Sequence, residues 1–307
     1  MTRAVVFAYH SVGVRCLRVL LAHGVDVPLV LTHQDDPKER VWFASVGNTA
    51  RECGIATLVP GDPNAADVVA RVSALAPDFL FSFYYRAMLK APMLATARRG
   101  ALNMHGSLLP RYRGRAPVNW AVLHGERETG ATLHYMTERP DAGDIVAQSA
   151  VPILPDDTAS EVLDKVTVAA ELALHGVLPA LIAGTAPRVP QDLTKGRQFG
   201  GRRPEDGTID WKRDAQSIHD LVRAVAPPYP GALTTVAGVA ARVLRTRVHD
   251  AATPPASAPA IEVRDGRLLA RCGGGGTLAV LQLELAGIPC DAASFVARFG
   301  NAPVLLP

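Results

Sequence analysis

The sequence predicts an α/β fold, in which an open, mostly parallel β-sheet with helices on both faces is followed by a small β domain. In the first half, short apolar runs of β-forming residues alternate with segments of helical periodicity. Towards the end, short β-like runs are separated by Gly, Pro and Asp, as in a small barrel. The length of 307 residues suits about two domains.

The sheet domain is predicted over residues 1–190. Its strands are predicted from apolar runs at residues 4–8, 27–31, 78–82, 100–104, 132–136 and 145–153. Its helices are predicted between Ser11 and Gly24, at residues 41–53 and 65–75, and from a capping box at residues 158–161 to Gly184. In such sheets ligands bind beyond the carboxyl ends of the strands, so the residues that follow the strands are the candidates for function.

A linker and a second domain are predicted after the long helix. Residues 191–204 (QDLTKGRQFGGRRP) have little periodicity, three glycines and four basic residues, which indicates an interdomain linker that could also line a site. The second domain is predicted over residues 205–307. It holds a helix near residues 215–225 and β-like runs at 232–236, 239–248, 260–263, 267–271 and 277–284.

Composition excludes several classes of protein. The hydrophobic fraction of 48% and the formal net charge of +3 exclude a disordered chain and argue against a nucleic-acid partner. No run of about 18 apolar residues is present, so we expect no membrane insertion. The first residues lack the features of a signal peptide, and the four cysteines lie far apart without a CxxC pair. A cytoplasmic protein with reduced thiols is therefore expected.

Two phosphate-binding motifs are absent from the sequence. Residues 9–13, after the first strand, read Tyr-His-Ser-Val-Gly rather than Gly-x-Gly-x-x-Gly, which argues against a dinucleotide cofactor. No Gly-x-x-x-x-Gly-Lys motif of a P-loop is present either. Seven histidines (residues 23, 33, 124, 134, 175, 219 and 249) are scattered without metal-ligand spacing, so no metal site and no role is assigned to them.

The densest cluster of chemically informative residues is the segment 103–117, NMHGSLLPRYRGRAP. Residues two apart on a strand face the same side, so Asn103 and His105 are expected to point into one cleft. Further along, the turn at residues 139–144 presents Asp141. These three residue types suit acyl-type transfer to an amine. An amide N–H stabilises the oxyanion, a histidine relays protons, and a carboxylate favours the charged histidine.

These residues resemble a known family, the 10-formyltetrahydrofolate-dependent formyltransferases. The resemblance is carried by NMHGSLLPRYRG at residues 103–114. It implies a Rossmann-like catalytic domain followed by an OB-like domain, and 10-formyltetrahydrofolate as formyl donor without a metal. It also implies that Asn103 stabilises the oxyanion, that His105 is the general acid/base, and that Asp141 orients His105 and raises its pKa.

Further motifs narrow the resemblance to one subgroup, the formyltransferase domain of the bifunctional polymyxin-resistance enzyme that acts on UDP-4-amino-4-deoxy-L-arabinose. The matching motifs are FAYHSVG (7–13), FSFYYR (81–86), LNMHGSLLPRYRGRAPVNW (102–120), DAGDIVAQ (141–148), FGGRRPEDG (199–207) and VRAVAPPYPGA (222–232). The subgroup implies a role in lipid A modification. Because the sequence contains no dehydrogenase domain, we expect the formyl-transfer step alone, and the oligomeric state of the fused enzyme does not carry over.

The subgroup also implies the residues that contact the folate. They are Ala87, Met88, Leu89, Arg115, Thr137, Glu138, Arg139 and Pro140. The residues that bind the formyl acceptor are less clearly indicated. Each candidate has a substrate-binding interpretation and a structural one. His10 is a substrate contact or a surface histidine, and Tyr84 is part site wall and part structure. Arg202 and Arg203 either bind a diphosphate or belong to a solvated linker. Tyr229 either stacks on a uracil ring or packs at the domain interface.

Three functions compete, two of them enzymatic. The first is N-formylation of a nucleotide-linked amino sugar, either UDP-4-amino-4-deoxy-L-arabinose or a different nucleotide sugar, and the second is N-formylation of methionyl-tRNA. The third is a binding module with a degenerate catalytic centre, which the intact Asn103, His105 and Asp141 disfavour. A tRNA enzyme should carry a basic surface. From Glu205 onward the sequence has ten acidic and ten basic residues, and the loop at residues 32–40 has three acidic and two basic residues. The charge pattern therefore disfavours tRNA.

Overall fold

The computed structural model describes residues 1–35 and 41–307. The loop at residues 32–40, whose charges disfavour tRNA, thus lies in part outside the described residues. The chain divides into two compact units. The first comprises Met1–Pro117, Glu128–Pro152 and Leu163–Gly200, and the second Val118–Arg127, Ile153–Val162 and Gly201–Pro307. The domain ranges 1–190 and 205–307, with a linker at 191–204, remain predictions.

The first unit is built on a seven-stranded sheet. The described strands of this unit are β1 (Arg3–Ala8), β2 (Asp26–Leu31), β3 (Ala56–Leu58), β4 (Phe79–Phe83), β5 (Gly100–His105), β6 (Arg113–Gly114), β7 (Glu128–Tyr135), β8 (Ile145–Pro152) and β9 (Gln198–Phe199). The order across the sheet is β3-β2-β1-β4-β5-β7-β8, while β6 pairs with β9. Strands β1 to β5 are parallel, and β7 and β8 are antiparallel to their neighbours. The predicted mostly parallel sheet is confirmed.

Eight α-helices and two short 3-10 helices, Leu193–Lys195 and Pro204–Gly207, accompany the strands of the described chain. The α-helices are α1 (His10–Ala22), α2 (Val46–Glu52), α3 (Ala66–Ala74), α4 (Ala91–Leu94), α5 (Pro117–Leu123), α6 (Ala159–Ala183), α7 (Ala215–Ala224) and α8 (Ala292–Phe299). The helix predicted from residue 41 begins only at Val46, because the Ser45 hydroxyl accepts a hydrogen bond from Asn48 N at 3.3 Å and caps it. The three-residue strand β3 is too short to show a period and was not predicted.

The centre of the sheet is covered on both faces. Residues Ala4–Ala8 of β1 are fully buried, as expected for a parallel strand with helices on both sides. One cluster of buried side chains joins β1 to β2, β4 and β5 through Phe7, Leu31, Leu80 and Ala101. This packing makes β5 a rigid support for the residues at its carboxyl end.

Among the described residues, one helix, α6, is long and apolar enough by length and composition to cross a membrane. Polar contacts join it to the first unit. Arg15 pairs with Glu171 at 3.0 Å, and the Arg99 guanidinium donates to the carbonyls of Leu181 and Ile182 near the helix end at 2.6 and 3.0 Å. These contacts and the buried face of α6 are those of a core helix, so the absence of membrane insertion remains the prediction.

The second unit contains an antiparallel, curled sheet. Its strands are β10 (Ala232–Val236), β11 (Val239–Asp250), β12 (Ala260–Arg264), β13 (Arg267–Arg271), β14 (Thr277–Leu285), β15 (Ile288–Pro289) and β16 (Val304–Leu305). Their order is β10-β11-β14-β13-β12-β16, with β15 paired to β14. Trp211, Ile218, Leu278 and Phe295 lie in its core. The predicted β-rich second domain is confirmed in this form, and its description as OB-like remains a prediction.

We expect the second unit to lose stability in mild acid through His219. The ring is 3% exposed, and its Nε2–H donates to Pro155 O at 2.9 Å while Nδ1 lies 3.0 Å from Thr246 Oγ1. Burial lowers the pKa of His219 below 6.5. The unfolded chain therefore binds a proton more readily, and the stability that the neutral ring provides above pH 6.5 is lost as the pH falls towards the folded-state pKa.

This expectation is checked by urea unfolding at pH 8 and pH 5.5. His219→Gln should reduce the loss of unfolding free energy between these conditions by about 1 kcal/mol. His249→Gln, at an exposed histidine of the same unit, serves as the control. An equal loss in the wild type and in His219→Gln would contradict the assignment.

Candidate active site

Two candidate residues lie at the carboxyl end of β5. Asn103 and His105 are two apart on this strand, which pairs in parallel with β4 and antiparallel with β7. Alternation along the strand therefore places both side chains on one face of the sheet. His105 is 6% exposed, whereas Asn103 is only half-buried and so remains accessible to a ligand.

His105 has a polar group at each ring nitrogen. Nε2 lies 2.9 Å from Tyr112 O, and Nδ1 lies 3.6 Å from Asp141 Oδ1. Because a carbonyl oxygen only accepts hydrogen bonds, Nε2 carries the proton in the neutral ring. The nitrogen that faces Asp141 is then protonated only in the imidazolium form. The carboxylate is thus placed to stabilise the charged histidine.

Asp141 sits in a turn with a left-handed backbone, at φ 52°. Its Oδ2 accepts a hydrogen bond from the main-chain N–H of Gly114 at 2.8 Å. Its Oδ1 lies 3.6 Å from both His105 Nδ1 and His134 Nε2. Burial opposes ionisation of this carboxyl, but the attraction of His105, a hydrogen bond from the protonated form of His134 and the hydrogen bond from Gly114 outweigh it and hold the pKa of Asp141 well below its usual range.

The pKa of His105 is lowered from its ordinary value. Burial is the main cause, and nearby His134 adds to it. The charge of Asp141 and the hydrogen bond to Tyr112 O act in the opposite direction and offset only part of the shift. Near pH 7 His105 is therefore neutral and Asp141 ionised, so the histidine is ready to accept a proton.

The sequence analysis gave His134 no role, but this ring lies among the candidate residues. His134 is 1% exposed, and its Nδ1–H donates to Tyr135 O at 2.8 Å. Its Nε2 is therefore free to accept a hydrogen bond from Asn103 Nδ2, 3.1 Å away. Asn103 and His134 face each other in the register of β5 and β7, and this pairing is the signal that sequence reasoning lacked.

A cavity of about 350 Å³ lies at the first residues of β5 and at the residues where β7 ends. It is lined by Leu94, Arg99, Gly100, Ala101, Tyr135, Met136, Thr137, Ala142, Gly143, Asp144 and Arg188. Ala101 precedes Asn103 by two residues on β5 and so shares its face. The cavity thus borders β5 before Asn103 and the turn after Asp141, and its lining contains none of the three candidate catalytic residues.

The residues predicted to contact folate are placed unevenly around this cavity. Thr137 lines it, and buried Leu89 belongs to the same apolar cluster as Ala101. Met88 is exposed, and its carbonyl accepts a hydrogen bond from Asn64 Nδ2 at 2.9 Å. The remaining predicted contacts, Ala87, Arg115, Glu138, Arg139 and Pro140, are outside the lining set, and Arg115, Glu138 and Arg139 are exposed.

Two candidates for the acceptor side lie in the first unit. His10 begins α1 and packs its ring against Phe43, with centroids 4.1 Å apart, and against Trp42 at 5.0 Å. Tyr84 follows β4, and a side chain at Gly106 would overlap its hydroxyl group. Tyr84 therefore reaches the residue next to His105, on the side of the cleft where β1 and β4 end.

The other three acceptor-side candidates belong to the second unit. Arg202 lies over the ring of Trp120 at 5.0 Å and donates to Asp206 O at 2.9 Å. Burial lowers the pKa of Arg202. The main-chain N–H of Arg203 donates to Asp206 Oδ2 at 2.7 Å, and Tyr229 is half-buried. Within the described residues, no three His, Cys, Asp or Glu side chains are grouped to hold a metal ion.

The chain belongs to the formyl transferase family. The family model for the formyl transferase domain matches residues 14–178, more than half of the chain. The model for the formyl transferase C-terminal domain matches residues 202–300. The first match contains Asn103, His105 and Asp141, so the protein is a formyltransferase.

Solved structures share this fold. An N-formyltransferase from Helicobacter canadensis, in complex with folinic acid and dTDP-3-aminofucose, superposes with a TM-score of 0.73 at 18% identity, covering 91% of this chain and 99% of that chain. WlaRD, a sugar 3N-formyl transferase in the presence of dTDP and 5-N-formyl-THF, gives 0.71 at 18% identity over 91% and 97%. Glycinamide ribonucleotide transformylase 1 from Symbiobacterium toebii gives 0.52 at 25% identity over 60% and 89%.

Proposed function

We propose that this protein transfers the formyl group of 10-formyltetrahydrofolate to the 4-amino group of UDP-4-amino-4-deoxy-L-arabinose. The observation that carries the reaction is the grouping of Asn103, His105 and Asp141 at the carboxyl end of β5. The motif FSFYYR and its companions support the sugar. The folate and dTDP-sugar ligands of the structurally similar sugar formyltransferases support the two substrate classes.

The formyl donor supplies an activated carbonyl group, and the acceptor supplies a neutral amine. A bond forms between the amine nitrogen and the formyl carbon, and the bond from that carbon to N10 of the folate breaks. The amine loses one proton and N10 gains one, so the reaction balances without a further reactant. Direct attack by the amine requires no Ser or Cys nucleophile.

His105 is the group that moves this proton. In the structure its Nε2–H donates to Tyr112 O at 2.9 Å. We infer that substrate displaces Tyr112 O from Nε2, and that the single proton of the neutral ring then moves from Nε2 to Nδ1, where it faces Asp141. Nε2 then takes the proton of the attacking amine and returns it to N10. Asp141 orients the ring and stabilises the imidazolium that forms in between.

Asn103 stabilises the negative charge that develops on the formyl oxygen. Its Nδ2 has two hydrogens, and one of them is held by His134 Nε2. The second is available for the oxyanion. Because the contact with His134 fixes the amide plane, the donor is oriented before the charge develops, which is the condition for effective stabilisation.

The cavity beside β5 is the proposed site of the folate ring system. Leu94, Ala101 and Met136 offer apolar walls, and the main chain at residues 142–144 offers polar groups. A ring bound there would lie beside Ala101, two residues before Asn103 on β5. Leu89 supports the wall through the cluster it shares with Ala101, and Thr137 lines the rim. Ala87, Met88, Arg115, Glu138, Arg139 and Pro140 remain proposed contacts for the rest of the donor.

The acceptor is proposed to enter from the side where β1 and β4 end. His10 and Tyr84 lie there. Arg202 and Arg203 are proposed to bind the diphosphate and Tyr229 the uracil, as donors and a stacking surface suited to these groups. The ranges 1–190 and 205–307 are proposed as the catalytic domain and an OB-like domain, in a cytoplasmic enzyme of lipid A modification.

A panel of acceptors tests the substrate. With purified protein and 10-formyltetrahydrofolate, we expect kcat/KM for UDP-4-amino-4-deoxy-L-arabinose to exceed that for methionyl-tRNA by at least about 10⁴-fold, because buried polar groups of a sugar site reject an acceptor that leaves them unpaired. Mass spectrometry of the product locates the formyl group. A higher kcat/KM for a dTDP-3-amino sugar would mean that the acceptor is another nucleotide-linked amino sugar. A higher kcat/KM for methionyl-tRNA would overturn the proposal.

A further inference from the structure

The chain segment after α6 packs against the loop that follows β5. Residues 191–200 are here named the strap. Strand β9 of the strap pairs in parallel with β6 of the loop, and the main-chain N–H of Arg113 donates to Arg197 O at 3.1 Å. The rings of Tyr112 and Phe199 stack with centroids 5.1 Å apart. The strap and the loop therefore form one packed assembly within the first unit.

Two glycines permit this close approach. A side chain at Gly114 would overlap Phe199 O, and one at Gly196 would overlap Pro110 O. The buried guanidinium of Arg113 adds a hydrogen bond to Gly196 O at 3.0 Å. Because Gly114 also donates to Asp141, a shift of the strap is transmitted to the candidate catalytic carboxylate through the loop.

Gln191, the first residue of the strap, also contacts the Asp141 turn directly. Its Nε2 donates to Asp141 O at 3.1 Å and to Gly143 O at 2.6 Å. Since carbonyls only accept hydrogen bonds, these contacts determine which end of the amide faces the turn. The Oε1 atom is buried and has no hydrogen-bond partner among the described residues, which is unfavourable. The contacts with the turn therefore set the orientation of this amide.

The turn that Gln191 holds has an uncommon backbone. Asp141 has a φ of 52°, a left-handed value that residues other than glycine adopt infrequently and keep only where surrounding contacts enforce it. Gln191 holds the main chain of the turn, and Gly114 holds the carboxylate from the opposite end of the residue. This conformation aims Oδ1 at His105.

We propose that Gln191 is a positioning residue for formyl transfer, which holds the backbone of the Asp141 turn so that the carboxylate stays beside His105. The inference rests on the role proposed for Asp141. It gives the strap a function beyond that of a linker, because its first residue contacts the Asp141 turn and its remaining residues hold the loop that contacts the carboxylate.

Gln191→Met tests this proposal, because it keeps the side-chain length and removes both N–H donors. We expect kcat to fall about 10-fold to 100-fold, the effect of a small misplacement of a catalytic group. The KM values for both substrates should stay unchanged. The His105 pKa, followed by NMR titration of the ring, should fall because the carboxylate is held less firmly. Gln191→Glu sets a carboxylate oxygen against two carbonyls and should lose at least as much activity.

Gln216→Met is the matched control, since it removes an exposed amide on α7 that donates to Asp220. It should behave as the wild type. Asp141→Asn is measured alongside. The inference would be overturned if Asp141→Asn lowered both kcat and the His105 pKa while Gln191→Met lowered neither. That result would leave the proposed function intact. A variant that is only less stable to urea, with wild-type kcat and pKa, would also overturn it. No effect of Asp141→Asn would overturn the proposed role of Asp141 and this inference together.

Discussion

His105→Ala is expected to lower kcat about 10²- to 10⁴-fold, the usual contribution of a general acid/base. The methyl group of alanine can neither take the proton of the attacking amine nor return it to N10. Binding of the formyl donor should remain largely intact, because the residues that line the cavity beside β5 are unchanged. Steady-state formylation assays and titration of the folate by fluorescence or calorimetry separate the two effects.

His249→Ala is the control for this variant, since His249 is exposed and lies in the second unit. It should retain wild-type turnover. Circular dichroism and the unfolding midpoint verify that the loss of the hydrogen bond to Tyr112 O leaves the fold intact. Turnover retained by a folded His105→Ala variant would remove the general acid/base role.

Asp141→Asn is expected to have the second large effect, a fall in kcat of about 10²-fold or more. The imidazolium of His105 loses its counter-charge, and the ring loses the group that orients it. The charge of Asp141 raises the pKa of His105 against the effect of burial. Without that charge the pKa of His105 falls further below its ordinary value. If neutral His105 is the active base, the acidic limb of the profile of kcat/KM against pH therefore moves to lower pH.

Asp144→Asn provides the comparison within the same turn. Asp144 pairs with Arg188 at 3.3 Å and is without a contact to His105 among the described residues, so its substitution should leave the pH profile in place. The profile is measured over a range that spans the pKa of a free histidine. An unchanged acidic limb in Asp141→Asn would contradict the assigned role.

Part of the site follows from local geometry. Asn103 and His105 could be assigned to one face of a strand because side chains two residues apart on a strand point to the same side of the sheet. This holds for any strand in any sheet. Asp141 is different, since its distance from His105 along the chain carries no spatial information. Its role came from the resemblance to the formyltransferases, and the structure adds the 3.6 Å separation between its Oδ1 and His105 Nδ1.

Two residues lay beyond what the sequence could indicate. His134 was one of seven scattered histidines, and its place opposite Asn103 depends on the register between β5 and β7. Register is set by the packing of whole strands, so no pattern within either strand reveals it. Gln191 lies in a segment without periodicity, and its contact with the Asp141 turn spans 50 residues of sequence.

The alternation of apolar runs and amphipathic segments was sufficient to determine the mostly parallel sheet, because strands buried on both faces and the helices that cover them must each show their own period. The NMHGSLLPRYRG motif was likewise sufficient to indicate the family. Tertiary structure alone decided how the carboxylate meets the histidine, since this depends on a left-handed turn held by Gly114 and Gln191. Such contacts join segments that are distant in the chain, and their geometry exists only once the strands, the loop and the strap are packed together.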